Sequence, residues 1–289
     1  MKTLIVGAGG IVGQEMARNN PFGANSIFTR RESYGDYVPF SISSDEDIQQ
    51  FFDWVNPDVI VNLSGVNEVD VVESAEGDFE DRIEYLNQIA PVKMASWAAD
   101  NNAFFIQGST QAVFSGNEAP YSPHSKTNPI NKYGQQKANA EKDILYSFSE
   151  SSLVARLTFV YGIRPDMTIG RANPIEKMMA GDSQIQVDDR FFSPLWSVDA
   201  ANILWKLAQE RPTGIIHIGE PITISRYTMA CHCAWDTYRN FNIKPVSHEF
   251  FEGIAARPKD SSWKPGASLY ETPFSEGILN CYFEWRKKQ

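Results

Sequence analysis

At 289 residues the chain is about twice the usual single-domain size, which excludes a small stapled scaffold and leaves room for one large or two coupled domains. Its composition, 42% hydrophobic and 21% charged, is that of a folded protein. The 36 acidic against 26 basic residues leave a net charge of -10, which opposes adhesion to nucleic acid or to anionic membrane surfaces.

From the N-terminus, short apolar runs alternate with longer periodic segments, the pattern of βαβ units in a parallel sheet. The spacing predicts strands over Lys2–Val6, Ser26–Thr29, Val59–Leu63, Ala103–Gln107 and Leu153–Leu157, each bounded by Gly, Asn, Asp or Ser. Helices are expected from Ile11 onward, over Asp81–Asn101, and over Ile130–Phe148 behind the breaker pair Asn128-Pro129. Beyond Tyr161 the prolines Pro165, Pro174, Pro194, Pro212 and Pro221 break the chain into loops around one clear helix, Val198–Gln209. The stretch Ala255–Gly266 reads as surface loop before a short helical segment near Glu276. The expected fold is therefore α/β: a Rossmann-type doubly wound parallel sheet over residues 1–162, with a smaller C-terminal substrate-binding lobe over 163–289 whose segments are free to return to the first domain.

No repeat or low-complexity tract interrupts this order, and no apolar run reaches the roughly 18 residues that span a bilayer. Leu4 to Val12 is broken by glycines where the core of a signal peptide would be apolar. Cys231, Cys233 and Cys281 lack the spacing of a zinc or disulfide framework. A reducing, cytoplasmic setting is expected, without a membrane or nucleic-acid partner.

Directly after the first strand stands Gly7-Ala8-Gly9-Gly10-Ile11-Val12-Gly13. In a strand-to-helix turn Gly7 permits the tight bend, Gly10 lets the backbone approach a pyrophosphate, and Gly13 lets the helix pack closely on the sheet. The helix N-terminus supplies N–H groups and a favourable dipole. The bland alternative is a plain tight turn, and the strand before and helix after weigh against it. At the end of the second strand, where an NAD site places a carboxylate, the chain reads Thr29-Arg30-Arg31. Two guanidinium groups suit a 2'-phosphate, so NADPH is favoured over NADH, which Glu32 keeps open.

Tyr133-Gly134-Gln135-Gln136-Lys137 sits at the head of a predicted helix, with Tyr133 and Lys137 four residues apart on one face. A phenol is a poor acid–base group near neutrality unless a cation favours its phenolate, and Lys137 offers both that charge and a donor for a nicotinamide ribose. A third group is expected where the preceding strand ends, at Ser109-Thr110-Gln111. Thr110 is the first choice there, with Ser109 second, for a hydroxyl that hydrogen-bonds a substrate carbonyl oxygen.

In this order the three features resemble the extended short-chain dehydrogenase/reductase superfamily and, more narrowly, the dTDP-4-dehydrorhamnose reductase family. The resemblance runs through Asp58-Val59-Ile60-Val61-Asn62-Leu63-Ser64-Gly65, Ser109-Thr110 with Val113-Phe114-Ser115-Gly116, Asn128 to Lys137, Arg156 with Val160-Tyr161-Gly162, Ser193-Pro194 with Val198-Asp199-Ala200-Ala201, and Gly214 to Gly219. It implies that Gly10, Ile11 and Val12 line a pyrophosphate and that Leu63, Ser64 and Gly65 pass the ribose and nicotinamide. It also implies that Tyr133 and Lys137 are catalytic, that Thr110 touches the sugar, and that Phe159 takes the place of a tryptophan against the substrate. NADPH would then deliver hydride to the C4 ketone of a nucleotide-linked deoxysugar.

The family's Thr-Asp-Tyr is here Thr110-Gln111-Ala112, which removes a carboxylate and an aromatic ring from the expected sugar site. Dehydration, which needs an acid after the hydroxyl residue, is disfavoured because Gln111 cannot supply that proton. Two rival readings stay open: a cofactor-binding regulatory protein like the β subunit of methionine adenosyltransferase, and a nucleotide-sugar 4-epimerase with tightly held NAD. Ser193 and Trp196, with Phe191 and Phe192, are further candidates for substrate contact where the second lobe faces the cleft. Asp188-Asp189 and Asp45-Glu46-Asp47 read as solvated loop acids, and no metal site is expected. The tail after Arg257-Pro258 is not typical of the family's closing helix, so a homodimer is an open expectation.

Overall fold

The computed structural model describes residues 1–181, 185–236, 242–251 and 253–288. The first half alternates strand and helix: β1 (Thr3–Val6), α1 (Ile11–Arg18), β2 (Ser26–Arg30), β3 (Val38–Pro39), α2 (Asp45–Val55), β4 (Val59–Asn62), α3 (Val69–Glu73), α4 (Gly77–Glu84), α5 (Ala90–Asp100), β5 (Phe104–Thr110), α6 (Lys132–Phe148) and β6 (Ser152–Leu157). There follow β7 (Phe159–Tyr161), α7 (Pro174–Ala180), β8 (Ile185–Val187), β9 (Phe191–Phe192), β10 (Pro194–Trp196), α8 (Ser197–Glu210), β11 (Gly214–Ile218), β12 (Ile224–Ser225), α9 (Arg226–Asp236), β13 (Lys244–Val246) and α10 (Phe274–Lys287).

Seven strands form one sheet in the order β11-β6-β5-β4-β1-β2-β3, and every neighbouring pair is parallel. This is the doubly wound order, with its topological switch between β1 and β4. The central strands β1 and β4 are buried along their whole length, because helices cover both faces of a parallel sheet. Against one face, α1 and α8 set Met16, Ala200, Leu204 and Trp205 upon Ile5, Val61 and Ile106. Against the other, α2, α5 and α6 set Phe52, Met94, Trp97 and Ile144 upon Leu4, Ile60 and Phe105.

Two segments from beyond residue 162 belong to this layered unit. Strand β11 pairs with β6 from Gly214↔Leu153 to Ile218↔Leu157, and the Trp205 indole of α8 donates to the Met16 carbonyl of α1 at 3.1 Å. The rest of the second half gathers α7, α9 and α10 around Tyr161, Met179, Phe192, Met229 and Ile278. It is more regular than the proline spacing predicts. Asn173 closes a capping box at the head of α7, so Pro174 starts a helix where a loop was expected.

Three further expectations change. Asp45-Glu46-Asp47 is the first turn of α2, capped by Ser44 accepting from Asp47 N at 3.2 Å, where acids complement the helix dipole. The helix expected over Asp81–Asn101 is two helices, α4 and α5, joined by a π-helical turn over Tyr85–Ile89. The Ala255–Gly266 stretch is not all surface: Trp263 is fully buried, stacks on His217 at 3.9 Å and donates to the Ile218 carbonyl, because an indole gains more among Phe114, Tyr121 and Ala138 than in water. The last helix, α10, runs to 14 residues.

Candidate active site

The switch point brings the loops after β1 and β4 together. Gly7 has φ +80, and a Cβ there would lie 2.7 Å from Ser64 Cα, so only glycine lets the two loops touch. Gly13 packs on the turn itself, where an added Cβ would stand 2.4 Å from Ala8 Cα. Gly10 differs: an added Cβ would meet nothing nearer than the Gly7 carbonyl at 4.0 Å. It caps α1 without any side-chain hydrogen bond, so the first N–H groups of that helix are left for another acceptor. Ile11 is half-buried and Val12 is packed in the core. This open cradle fits a pyrophosphate.

At its edge the two arginines part. The Arg30 side chain lies beside Gly9, within 3.7 Å of a Cβ added there, and its guanidinium is 5.1 Å from the Tyr34 ring centroid. Arg31 is 79% exposed and only loosely paired with Glu32 at 3.6 Å. A loop of the second lobe lies over the glycine turn. Gln14 accepts from Asp166 N at 2.9 Å and donates to the Gly9 carbonyl at 3.0 Å, while Tyr34 donates to Asp166 at 2.7 Å.

On the β4 side, Ser64 N and Oγ both donate to Asn62 Oδ1, at 3.0 and 2.6 Å, and Leu63 packs close to Gly108 of β5. Gly65, with φ +141, sits against the Asn87 carboxamide. Asn87 is the residue that the local spacing does not reveal. From the π-turn it accepts from Val66 N at 2.8 Å and donates to the Val66 carbonyl and to Gln136 of α6, at 3.0 and 2.9 Å. It thereby ties the Leu63–Gly65 loop to the helix that carries Tyr133.

That helix begins where Asn131 accepts from Gly134 N at 2.8 Å. Gly134 packs so closely on the Ala112 carbonyl that an added Cβ would be 2.2 Å away, and this contact sets Tyr133 beside the end of β5. There the Tyr133 phenol stands near the Thr110 hydroxyl. Thr110 also accepts from Ala112 N at 3.1 Å. Burial pushes the Tyr133 phenol up to about 12, partly offset by Thr110. Lys137 is buried and donates to the Gly108 carbonyl at 2.8 Å, and loss of water lowers its ammonium to about 8 against the opposing pull of Glu141. Burial and Thr110 are what act on the Tyr133 phenol, while the Lys137 ammonium is engaged with the Gly108 carbonyl.

Of the residues expected at the substrate, the structure brings Thr110, Gln111 and Phe159 to this end of the sheet. The Thr158 hydroxyl meets the Gln111 amide and donates to the Ser193 carbonyl at 2.6 Å. Phe159 is half-exposed and stacks on Phe192 with centroids 4.3 Å apart. Three others lie elsewhere. Ser109 points across β5 to the buried Glu141 carboxylate, since neighbours on a strand face opposite ways. Ser193 is fully buried, donating to the Ile222 carbonyl and accepting from Trp263 N, both at 2.9 Å. Trp196 is partly buried and packs against the second-lobe core.

Behind the site, Arg156 of β6 grips Glu141 of α6 with Nη2 to Oε2 at 2.6 Å and Nε within 3.1 Å of both oxygens. Burial and the adjacent Arg156 lower His217 to about 3, so it is neutral and not a base for catalysis. Among the described residues no three His, Cys, Asp or Glu gather as a metal would require, and no helix is long and apolar enough to cross a membrane.

A family model described as the RmlD substrate binding domain matches residues 1–270. The methionine adenosyltransferase 2 subunit beta of Xenopus tropicalis is 25% identical, over 96% of this chain and 86% of its own length. A dTDP-4-dehydrorhamnose reductase of Mycolicibacterium smegmatis is 27% identical, over 79% of this chain and 67% of its own. Among solved structures, a dTDP-4-dehydrorhamnose reductase from Bacillus anthracis in complex with NADP aligns with a TM-score of 0.81 at 24% identity, covering 98% of this chain and 100% of that one.

Proposed function

The chain belongs to the RmlD substrate binding domain family, and from that premise we propose that it is an NADPH-dependent reductase of a nucleotide-activated 4-keto-deoxysugar, of the dTDP-4-dehydrorhamnose reductase type. The dinucleotide would be held at its pyrophosphate by Gly7, Gly10, Ile11, Val12 and Gly13, and at its 2'-phosphate by Arg30, with Arg31 beside it. Leu63, Ser64, Gly65 and Lys137 would hold its ribose and nicotinamide. When bound, it supplies the hydride that reduces a ketone.

The chain's own residues orient the carbonyl and move one proton. The Thr110 hydroxyl holds the ketone oxygen by a hydrogen bond, and the Tyr133 phenol beside it gives its proton to that oxygen as the alcohol forms. A phenol raised to about 12 is a poor base but a sound donor to an alkoxide, a far stronger base. Lys137, charged below about pH 8, would hold the ribose. Gln111 and Phe159 would line the sugar.

The single observation that carries the reading is the close seating of Gly134 on the Ala112 carbonyl, which sets Tyr133 beside Thr110 and one helical turn from Lys137, at the end of the sheet where Gly10 leaves an open cradle. The test is nicotinamide absorbance: a dTDP-4-keto sugar should consume NADPH in the native protein and fail to do so in Tyr133→Phe that still binds the coenzyme. Absence of turnover in the native protein across dTDP- and UDP-linked keto sugars would sink it.

A second reading, a coenzyme-binding regulatory subunit, draws on the Gln111 amide being taken up by Thr158 where the family's acid would face the sugar. It is also supported by the resemblance to the methionine adenosyltransferase subunit over 96% of the chain. In that case NADPH would raise the melting temperature with no sugar reduced.

A further inference from the structure

Ser109 and Glu141 take no part in the proposed reaction, yet both are built into the support of Lys137. Three successive residues at the end of β5 are laid along α6. The Gly108 carbonyl accepts from Lys137 Nζ at 2.8 Å. The Ser109 hydroxyl donates to Glu141 Oε1. Thr110 stands near Tyr133. Tyr133, Lys137 and Glu141 follow one another at intervals of four residues, so they lie on one face of the helix.

Ser109 and Glu141 are sealed from water, 6% and 2% exposed. A carboxylate is costly there unless it is paired and hydrogen-bonded. Arg156 of β6 supplies the pairing, with Nη2 at 2.6 Å and Nε within 3.1 Å of both oxygens, and Ser109 adds a hydroxyl. The Pro123 carbonyl accepts from Arg156 Nη1 at 3.2 Å, which fixes the guanidinium in its turn. A buried ion pair contributes little stability beyond what apolar residues of the same volume would give. A pair held this firmly therefore calls for a role besides packing.

That role is visible one turn back on α6. Loss of water lowers the Lys137 ammonium to about 8, and the Glu141 charge is what opposes the fall. The other charged groups on the elements around α6 are committed or silent. Glu73 of α3 accepts from Lys132 N at 2.9 Å, and Lys93 of α5 pairs with Asp45 at 2.7 Å. Strand β5 carries no charged residue. His217 of β11 is neutral, and Tyr133 loses its proton only near 12. Without Glu141, the Arg156 guanidinium would be left unpaired in the buried layer behind the helix. One carboxylate thus serves two cations.

We propose that Ser109 and Glu141 are positioning residues for the coenzyme: Ser109 and Arg156 fix the Glu141 carboxylate, and that carboxylate keeps the Lys137 ammonium charged at neutral pH for the coenzyme ribose. The assignment rests on the reading that the chain binds NADPH through Lys137.

The experiment is calorimetric titration of NADPH from about pH 6.5 to about pH 9.5, which needs no turnover. In the native protein affinity should fall off above a break near pH 8, and Lys137→Met, with no ammonium to lose, should show no break there. Glu141→Gln keeps the shape and an acceptor for Ser109 but removes the charge. Its break should move to about pH 7 or below, leaving affinity at pH 8 roughly 5-fold under the native value. Glu141→Asp, which returns the charge, should bring the break back toward 8. A break that stays near 8 in Glu141→Gln would overturn the proposal. So would a shifted break that Glu141→Asp leaves unrestored, because shape rather than charge would then be at work.

Should Glu141→Gln not fold, Ser109→Ala carries the test, since it leaves the ion pair in place. It should weaken NADPH binding roughly 2- to 10-fold at pH 7, the loss of one hydrogen bond, and Ser109→Thr should recover the affinity with the hydroxyl. Native affinity in Ser109→Ala would overturn the assignment of Ser109. A shifted break in Glu141→Gln, with no sugar reduced by the native protein, would keep the assembly and defeat the reductase reading. Reduction of a keto sugar with a break unmoved by Glu141→Gln would do the reverse.

Discussion

The two walls of the cleft are built on different principles. On the first-lobe wall, the groups proposed to act sit at the ends of adjacent parallel strands or in the first turns of a helix. Gly7 follows β1, Ser64 follows β4, Thr110 ends β5, and Tyr133 and Lys137 share one face of α6. On the second side, Phe159, Phe192 and the loop around Arg257 come from separated segments, joined by long-range contacts such as Asp70 to Arg257 and Lys259 to Phe191. Strand ends are held by the whole sheet, whereas the second wall is only as fixed as the loops that meet there. Chemistry shared by a family belongs on the first kind of support, and choice of substrate on the second.

That contrast can be broken by experiment. The largest effect is expected at Tyr133→Phe, which should lower kcat/KM for the keto sugar by about 10²- to 10⁴-fold with coenzyme affinity unchanged. An equal loss of kcat from a second-wall variant would erase the distinction between the walls. Next comes the support behind the first wall. Glu141→Ala leaves the Arg156 guanidinium buried without its partner and should cost about 3 to 5 kcal/mol in urea unfolding. A cost below about 1 kcal/mol would show that the first wall does not depend on this pair.

Lys137 gives a pH signature. Its native value of about 8 lies below its ordinary 10.5, so between those limits the unfolded chain holds a proton that the native chain has released. Stability conferred at this site therefore rises with pH, by about 2 to 3 kcal/mol from pH 8 to 10, and this rise should vanish in Lys137→Met. Tyr133, raised above 10, acts in the opposite sense only beyond that window. Paired denaturation curves at pH 8 and 10 check the difference.

The smallest effect sharpens the picture of the glycine turn. Gly13→Ala, whose Cβ would strike Ala8, should cost about 1 to 3 kcal/mol, whereas Gly10→Ala should change stability by no more than about 0.5 kcal/mol yet weaken NADPH binding. Thermal melts with and without NADPH separate the two, and a destabilised Gly10→Ala would mean that the cradle is packed rather than open.

Much of the first wall was legible because its rules are local. A glycine turn between strand and helix and a Tyr-Lys pair at helical spacing can be read without knowing what packs on them. Ser109 was misplaced for a reason equally local: β5 runs on through Gly108 to Thr110, and alternation along it sends Ser109 to Glu141 and Thr110 to the cleft. Asn87 and Gln14 were missed because their roles exist only across tertiary contacts, one bridging a π-turn to the loop after β4, the other joining α1 to the Asp166 loop. Ser193 and Trp263 follow the same logic. Their burial depends on strands and helices that sequence spacing beyond Tyr161 did not disclose, since Pro174 and Pro273 stand at the starts of helices there.

The return of β11 to the edge of the large sheet means that the protein cannot be cut into two halves at the point where the lobes diverge. A truncation after Gly162 would strip β6 of its neighbour and α1 of its cover by α8, exposing an apolar strand to other chains. The sheet cannot be completed until residues well past the second lobe's first helix have emerged from the ribosome. The lobe that is expected to choose the substrate is thus threaded between parts of the platform proposed to perform the reaction, and the two must mature as a single folding unit.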